Sequence, residues 1–343
     1  MKTLNKPEIN VAVVGCGFGK VHIRTLASGV GHFVLKKVCD LDAERLKIAA
    51  ELPETQGKKI AFISDIQQVL NDPEIDVVSL ALPHHLHKEF ALAAAKAGKH
   101  IMLDKPLART VEEGEAIVRA AEAAQVQLMV AFNFRYTPLY RAMHDTIARG
   151  ALGPVILAAT RHYQRFFYPG GSNWRNGASV GGGAIMGSGV HNVDMLRYCL
   201  GDPQEVYAAG VYDPQRLDAE AGASVVFRYK INCLVDFFCN WCLSSEDRIH
   251  AASKFGEWEF YGRDGELRLH LDGKLKISRL DHTVEEVEVP EGAPFVKLWE
   301  HFESCLRSGE LPLTTGADAL RTQKLIAAIY RSMQSGKPVE VAE

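Results

Sequence analysis

A β-branched run breaks into a glycine-rich turn near the start of the chain. Ile9-Asn10-Val11-Ala12-Val13-Val14 leads into Gly15-Cys16-Gly17-Phe18-Gly19-Lys20, and helix-compatible sequence continues to about Ser28. A short apolar run with little polar alternation fits a strand covered on both faces. A glycine turn between such a strand and a helix is the local context that a dinucleotide requires. Gly15 permits a tight turn, and Gly17 lets backbone approach a pyrophosphate without a Cβ clash. The following helix N-terminus offers free N–H groups and a partial positive charge to the anion. In the G-x-G-x-x-G spacing the third glycine falls at position 20, where Lys20 stands. Gly19 is then the residue left to do that work, in a turn shorter by one.

An acid follows at the right distance. Asp40 ends the second strand pattern, 25 residues after Gly15. A carboxylate roughly 20 residues on can accept hydrogen bonds from an adenosine ribose. Its charge would repel a 2′-phosphate, which favours NAD, while Lys36, Lys37 and Arg45 nearby keep NADP open.

Strand-like and helical segments alternate through the first half. Strands are expected at 9–14, 33–39, 60–63, 77–81, 100–103 and 128–132. Helices are expected near 20–28, 42–51, 65–71, 85–97, 111–124 and 137–149, with Asp42 able to cap the second. Such alternation implies an α/β fold with a doubly wound parallel sheet. After Gly150-Ala-Leu-Gly-Pro154 strand candidates come in succession, at 155–165, 205–212, 222–230, 233–242, 257–261 and 266–271, with one helix near 189–200. These predict a large, mostly antiparallel sheet. The tail returns to helix at about 295–308 and 315–334. The boundary is placed at 150: a Rossmann domain over 1–150, onto which the last helices can pack, and a second α/β domain over 151–343 for substrate binding and oligomerisation.

The overall balance excludes other classes. With 39 basic and 42 acidic residues the net charge is -3, without the positive footprint of a nucleic-acid binder. No apolar run reaches the ~18 residues of a membrane span, and the first ten residues lack a signal-peptide pattern. Seven scattered cysteines point to a reduced, cytoplasmic protein.

Further motifs occur in fixed order: Ala81-Leu-Pro-His-His-Leu-His87, Ala97-Gly-Lys-His100, Asp104-Lys-Pro106, Gly181-Gly-Gly183, Gly189-Val-His191 with Asp194, and the tail near Ala317–Val341. Together with Gly15–Lys20 and Asp40, they make the chain resemble the Gfo/Idh/MocA oxidoreductases, the family of glucose–fructose oxidoreductase and inositol 2-dehydrogenase. The resemblance spans nearly the whole chain. It implies an NAD(P)-binding Rossmann domain, a C-terminal domain whose open sheet forms dimers or tetramers, and sugars, cyclitols or related polyols as substrates.

Site residues follow from the chemistry and the resemblance together. Lys105 sits at the carboxyl end of a parallel strand, where ligands bind in such sheets. It can position a substrate hydroxyl and favour its alkoxide. An imidazole titrates near neutrality, so His191 can take the proton released when an alcohol becomes a ketone. Asp194, one helical turn on, can orient it or bind a hydroxyl. The resemblance places Gly15, Gly17, Phe18, Gly19, Lys20, Asp40, Pro83, His84, His87 and Lys105 at the cofactor. Asn133, Arg135, Tyr163, Trp174 and Arg175 are candidate substrate contacts, with Asn173 and Arg165 near them. Arg161, His162, Tyr163 and Arg165 lie on a candidate pocket strand, where by period two Arg161, Tyr163 and Arg165 share a face.

Departures from the family pattern are Asp104 for the usual Glu, His84 for Asn, and Gly187 where an aspartate is common. The histidines 84, 85 and 87 lack a carboxylate or thiol partner set, so no metal is expected. Cys239 and Cys242, three apart in a strand pattern, point to opposite faces and read as structural. The chain is thus expected to transfer a hydride between nicotinamide and a secondary hydroxyl. The alternatives are an NAD-dependent glycosidase with transient redox, and a catalytically silent NAD-sensing regulator.

Overall fold

The β-branched run Ile9–Val14 forms β1 at the centre of a six-stranded sheet. In this computed structural model, residues 2–164, 174–215, 217–241, 256–269 and 273–341 are described. Arg165, Asn173 and Cys242 lie outside the described residues.

Around β1 stand β2 (Phe33–Cys39), β3 (Ala61–Ile63), β4 (Val77–Leu80), β5 (His100–Leu103) and β6 (Leu128–Val130). Their order is β3-β2-β1-β4-β5-β6, and every pair is parallel. Strands β4 and β5 are buried along their whole length, as their mostly apolar character suits, with Ser79 and His100 buried among them. The order reverses at β1, so a crevice opens at the carboxyl ends of β1 and β4. Helices α1 (Lys20–Ala27), α2 (Ala43–Ala50), α3 (Gln67–Leu70), α4 (His87–Lys96) and α5 (Val111–Ala123) connect the strands. The Asp42 side chain accepts from the N–H groups of Glu44 and Arg45, which is why α2 starts where it does. The tail helix α8 (Pro294–Ser308) buries Leu298, Trp299, Phe302 and Leu306 in the core that β1 and β2 also line.

The second sheet has nine strands. It contains β7 (Val155–Tyr163), β8 (Glu205–Tyr212), β9 (Glu220–Tyr229), β10 (Cys233–Asn240), β11 (Glu257–Gly262), β12 (Gly265–Leu269), β13 (Leu275–Arg279), β14 (Val284–Glu286) and β15 (Val339–Glu340). Their order is β14-β13-β12-β11-β7-β10-β9-β8-β15, antiparallel except for the central pair β7–β10. Strands β14 and β15 are too short to stand out in sequence, whereas β13, Leu275-Lys-Ile-Ser-Arg279, alternates apolar and polar residues. One face of this sheet carries α7 (Val190–Leu200), where the Asn192 side-chain amide donates to Thr160 Oγ1 of β7 at 2.9 Å.

The chain divides into two compact units. The first is Met1–Tyr136 with Gly292–Gln323, and the second is Thr137–Glu291 with Lys324–Glu343. The division within α9 (Gly316–Ser335) therefore falls inside a helix. Helix α6 (Pro138–Ala148) belongs to the second unit rather than to residues 1–150. The reason is packing: Tyr140 meets Trp258 of β11 edge-on, and His144 stacks on Tyr198 of α7 at 3.8 Å.

Candidate functional site

The first unit gathers its chemistry at the carboxyl ends of β1, β2, β4, β5 and β6. Gly15 has φ +94°, and a Cβ there would overlap the Ala81 carbonyl oxygen at the end of β4. At Gly19 a Cβ would overlap the Gly15 carbonyl oxygen and press on the Ala81 Cβ at 3.2 Å. Gly19 thus provides the close helix–strand approach, and Lys20 is exposed on the first turn of α1. Around Gly17, only the tip of Arg45, at 3.9 Å, comes within reach of a Cβ, so that side of the turn is open. Neither a capping side chain nor an acidic residue occupies the start of α1. A diphosphate fits this cradle, because its charge meets the positive end of the helix and no Cβ bars its approach. Phe18, 43% exposed, borders the open side, its ring 6.1 Å from Phe295.

Asp40 is fixed against the same turn. One carboxylate oxygen accepts from the Cys16 N–H at 2.6 Å, and the other accepts from the Asp42 N–H at 3.0 Å. Each oxygen keeps acceptor capacity for a ribose hydroxyl. Lys37 is drawn off to Asp72 at 2.7 Å, and Arg45 pairs with Asp42 at 3.3 Å. Burial and the neighbouring Asp40 charge push the Cys16 thiol up to about 12, so it stays protonated and inert.

At the end of β5, Asp104 is buried and accepts from the Lys105 N–H at 2.8 Å, and a cis peptide joins Lys105 to Pro106. The Lys105 side chain is half-buried at the strand end. Pro83 and His84 open the short turn before α4; Pro83 is half-buried, and His84 is buried with its ring 5.6 Å from that of His87. His87 itself is fully buried, with Nδ1 2.9 Å from the Pro106 carbonyl oxygen and Nε2 2.9 Å from the Leu82 carbonyl oxygen. A neutral imidazole donates to one of the two. Burial holds the His87 pKa below its usual value, against the opposing charge of Asp104. A ring so enclosed holds the β4 and β5 loops together.

After β6, Asn133 is half-buried in a short turn, whereas Arg135 points inward. Arg135 is 3% exposed, pairs with Asp318 at 2.7 Å and donates to the Leu313 carbonyl at 3.4 Å. The Arg135 guanidinium is engaged in the interior, where it ties the loop after β6 to the start of α9.

In the second unit a five-residue π-helical segment, Ile185–Gly189, runs into α7. The half-buried His191 follows on the first turn of α7, and Asp194 is fully buried one turn later. A Cβ on Gly187 would stand 2.6 Å from Trp241 Cζ2, and the Trp241 indole N–H donates to Ser188 Oγ at 2.6 Å. An aspartate at position 187 has no room beside this indole. Trp174 and Arg175 form a half-buried turn, with the guanidinium 4.7 Å over the indole ring.

Thr160 and His162 point to the α7 side of β7, so Tyr163 lies on the opposite, open face, where its ring is 6.1 Å from Phe238. The residue of β7 facing α7 here is His162, bonded to Gln164 at 3.3 Å. Trp241 and Glu220 are residues the pattern does not reveal, whereas His162 belongs to the candidate pocket strand. Glu220 is hidden because Ala221 is an extra residue opposite the Val211–Tyr212 step, which reverses the face at that end of β9. Among the described residues, no group of three or more metal-ligating side chains occurs.

These features agree with known proteins. Residues 9–132 match the family model described as GFO/IDH/MocA oxidoreductase, NAD-binding Rossmann fold, and residues 140–268 match the GFO/IDH/MocA C-terminal domain. Inositol 2-dehydrogenase 2 of Saccharopolyspora erythraea is 33% identical over 97% of this chain and 96% of that protein. Levoglucosan dehydrogenase of Pseudarthrobacter phenanthrenivorans is 35% identical over 64% of this chain and 58% of that protein, less than two thirds of its length. A solved levoglucosan dehydrogenase in complex with NADH superposes with a TM-score of 0.86 at 25% identity, over 98% of this chain and 100% of the other. A glycine cradle at β1, an anchored acid at β2, and near-complete coverage by such relatives establish that this chain belongs to the GFO/IDH/MocA family of oxidoreductases, with an NAD-binding Rossmann domain.

Proposed function

We propose that this protein oxidises a secondary hydroxyl of a sugar, cyclitol or related polyol with NAD, or runs the reverse reduction. The observation that carries the reading is Lys105 at the carboxyl end of β5, in the same parallel sheet whose β1 and β2 ends form the diphosphate and ribose cradle. When bound, the nicotinamide supplies the hydride acceptor. Asp40 holds the ribose and disfavours a 2′-phosphate. Lys105 orients the substrate oxygen and stabilises its developing negative charge. His191 accepts the hydroxyl proton, and Asp194 keeps its helix face polar. Asn133, Trp174 and Arg175 contribute hydroxyl contacts and a stacking face. The first unit then serves the dinucleotide and the second the polyol.

The substrate class is supported by the relatives, whose names specify inositol, levoglucosan, D-apiose and 1,5-anhydro-D-fructose. The open face of the second sheet exposes Leu157, Tyr207, Val226 and Leu234, a row suited to a second copy of the chain. Among the described residues no helix is long and apolar enough to cross a membrane, and Cys16, Cys39, Cys199, Cys233, Cys239 and Cys305 are free thiols, as a reduced cytoplasm would keep them. Incubation with NAD or NADP across sugars, inositols and glycosides tests the activity. Net NADH formation supports it. Aglycone release without net NADH, or binding without turnover, would replace it with the glycosidase or the regulator.

A further inference from the structure

Glu220 is a buried carboxyl to which the reaction gives no role. It is 3% exposed, at the start of β9. Its Oε1 accepts from the Ile185 N–H at 2.8 Å and from the Tyr330 hydroxyl at 3.0 Å. Ile185 lies in the first turn of the helical stretch that continues into α7 and carries His191 six residues later. The carboxyl also lies flat against Gly183, whose φ is +107° and whose Cβ would stand 2.6 Å from the Glu220 Cδ. This explains the last glycine of the Gly181-Gly-Gly183 run: any side chain there would displace the carboxyl. The arrangement places an acid on the orphan donors of a helix start, where its ionised form is the stronger acceptor.

We propose that Glu220 is a positioning residue for His191: it pins the start of the histidine's helix, and gaining or losing its proton changes that hold. The inference rests on the reading of His191 as the proton acceptor. The titratable groups coupled to Glu220 are Tyr330 of α9, Tyr212 of β8 and Cys239 of β10. All three are pushed upward, chiefly by burial, and are neutral in the working range. Burial raises the Glu220 pKa to about 7, within the range where such an enzyme works.

The test uses the full chain and does not depend on finding the substrate. The histidine Cε1 protons are titrated by NMR in wild type, Glu220→Gln and Tyr330→Phe, with His191 assigned by the signal lost in His191→Asn. In wild type the His191 resonance should show, besides its own titration, an inflection near pH 7 from Glu220. Glu220→Gln keeps an acceptor but cannot ionise, and should abolish that inflection. Tyr330→Phe removes a donor that favours the carboxylate, and should move it upward. This variant keeps the test alive if Glu220→Gln fails to fold, which far-UV circular dichroism and thermal melting monitor. Identical His191 curves in all three proteins would overturn the proposal. If the wild type forms no NADH from any polyol, the functional reading fails separately, and the titration still decides whether Glu220 controls His191.

Discussion

Trp241 fills the volume that a side chain at Gly187 would need, its Cζ2 standing 2.6 Å from the position of a Cβ there. The indole is 1% exposed and tied to Ser188, so it cannot swing aside. Gly187→Ala should therefore cost about 1–3 kcal/mol by overpacking. In a Trp241→Phe background the penalty should shrink, since the smaller ring vacates the clash. Chemical denaturation of the two single variants and the double variant measures this coupling; strictly additive losses would show that the two residues do not compete for space.

Removing Arg135 should damage stability, not substrate affinity. Its buried guanidinium pairs with Asp318 and the Leu313 carbonyl, and truncation leaves both behind. Arg135→Ala should lose about 2–4 kcal/mol in denaturant unfolding, reduced from the fully buried case because Asp318 is partly exposed. A polyol KM raised more than tenfold with unchanged stability would return Arg135 to the substrate.

Asp40 anchors its carboxylate on the Cys16 N–H and should govern cofactor choice. Asp40→Ala should weaken NADH binding by roughly tenfold, the loss of one or two ribose hydrogen bonds. NADPH should lose less or gain, because the repelling charge is gone. Fluorescence titration with both nucleotides gives the ratio; an unchanged ratio would remove Asp40 from discrimination.

Lys105→Ala and His191→Ala should each lower kcat by about 10²–10⁴, the usual range for a positioned proton-transfer or electrostatic group. His191→Ala should leave NADH affinity within about twofold of wild type, since its target is the substrate proton. Steady-state rates from NADH absorbance check both, and wild-type turnover in either variant would dismiss that residue from the chemistry.

The protein should lose stability in mild acid through two buried histidines. His22 accepts from the Trp299 indole N–H at 3.2 Å, and His100 accepts from the Gln127 N–H at 3.0 Å, so both rings are held neutral. Burial lowers each pKa from 6.5 to about 4. A lowered folded-state value means the unfolded chain binds protons first. The contribution is complete above about pH 6.5 and disappears as pH falls toward about 4, up to about 3 kcal/mol per histidine. Glu220 acts in the opposite sense: its raised value means stability is lost as pH rises from about 4.5 to about 7. Melting curves of wild type and His100→Gln at pH 5 and 7.5 should show a smaller acid loss in the variant.

The first sheet was legible because each of its strands is a short, nearly unbroken apolar run followed by turn chemistry. Asp42 signalled the start of α2, and Gly15 with Asp40 signalled the cradle, since these depend on neighbours close in sequence. Strands β14 and β15 were not legible: at three and two residues, their pairing partners rather than their own pattern make them strands. Arg135 shows the same limit for a site residue. A polar side chain after a strand end can face a cleft or the interior, and the arrival of Asp318 from a distant helix settled it.

By itself the sequence determined the parallel sheet, the glycine turn, the acid beside it, and the positions of Lys105 and His191 on their elements. Those follow from local sterics, hydrogen-bond periodicity and the ends of strands and helices. The tertiary structure decided which face of β7 meets α7, and so placed His162 rather than Tyr163 on the histidine's side. It also decided, through the extra residue Ala221, that Glu220 is buried beneath the start of the His191 helix. Period two divides a strand into two faces but does not say which one another element covers, because that choice is made by packing between residues far apart in the chain.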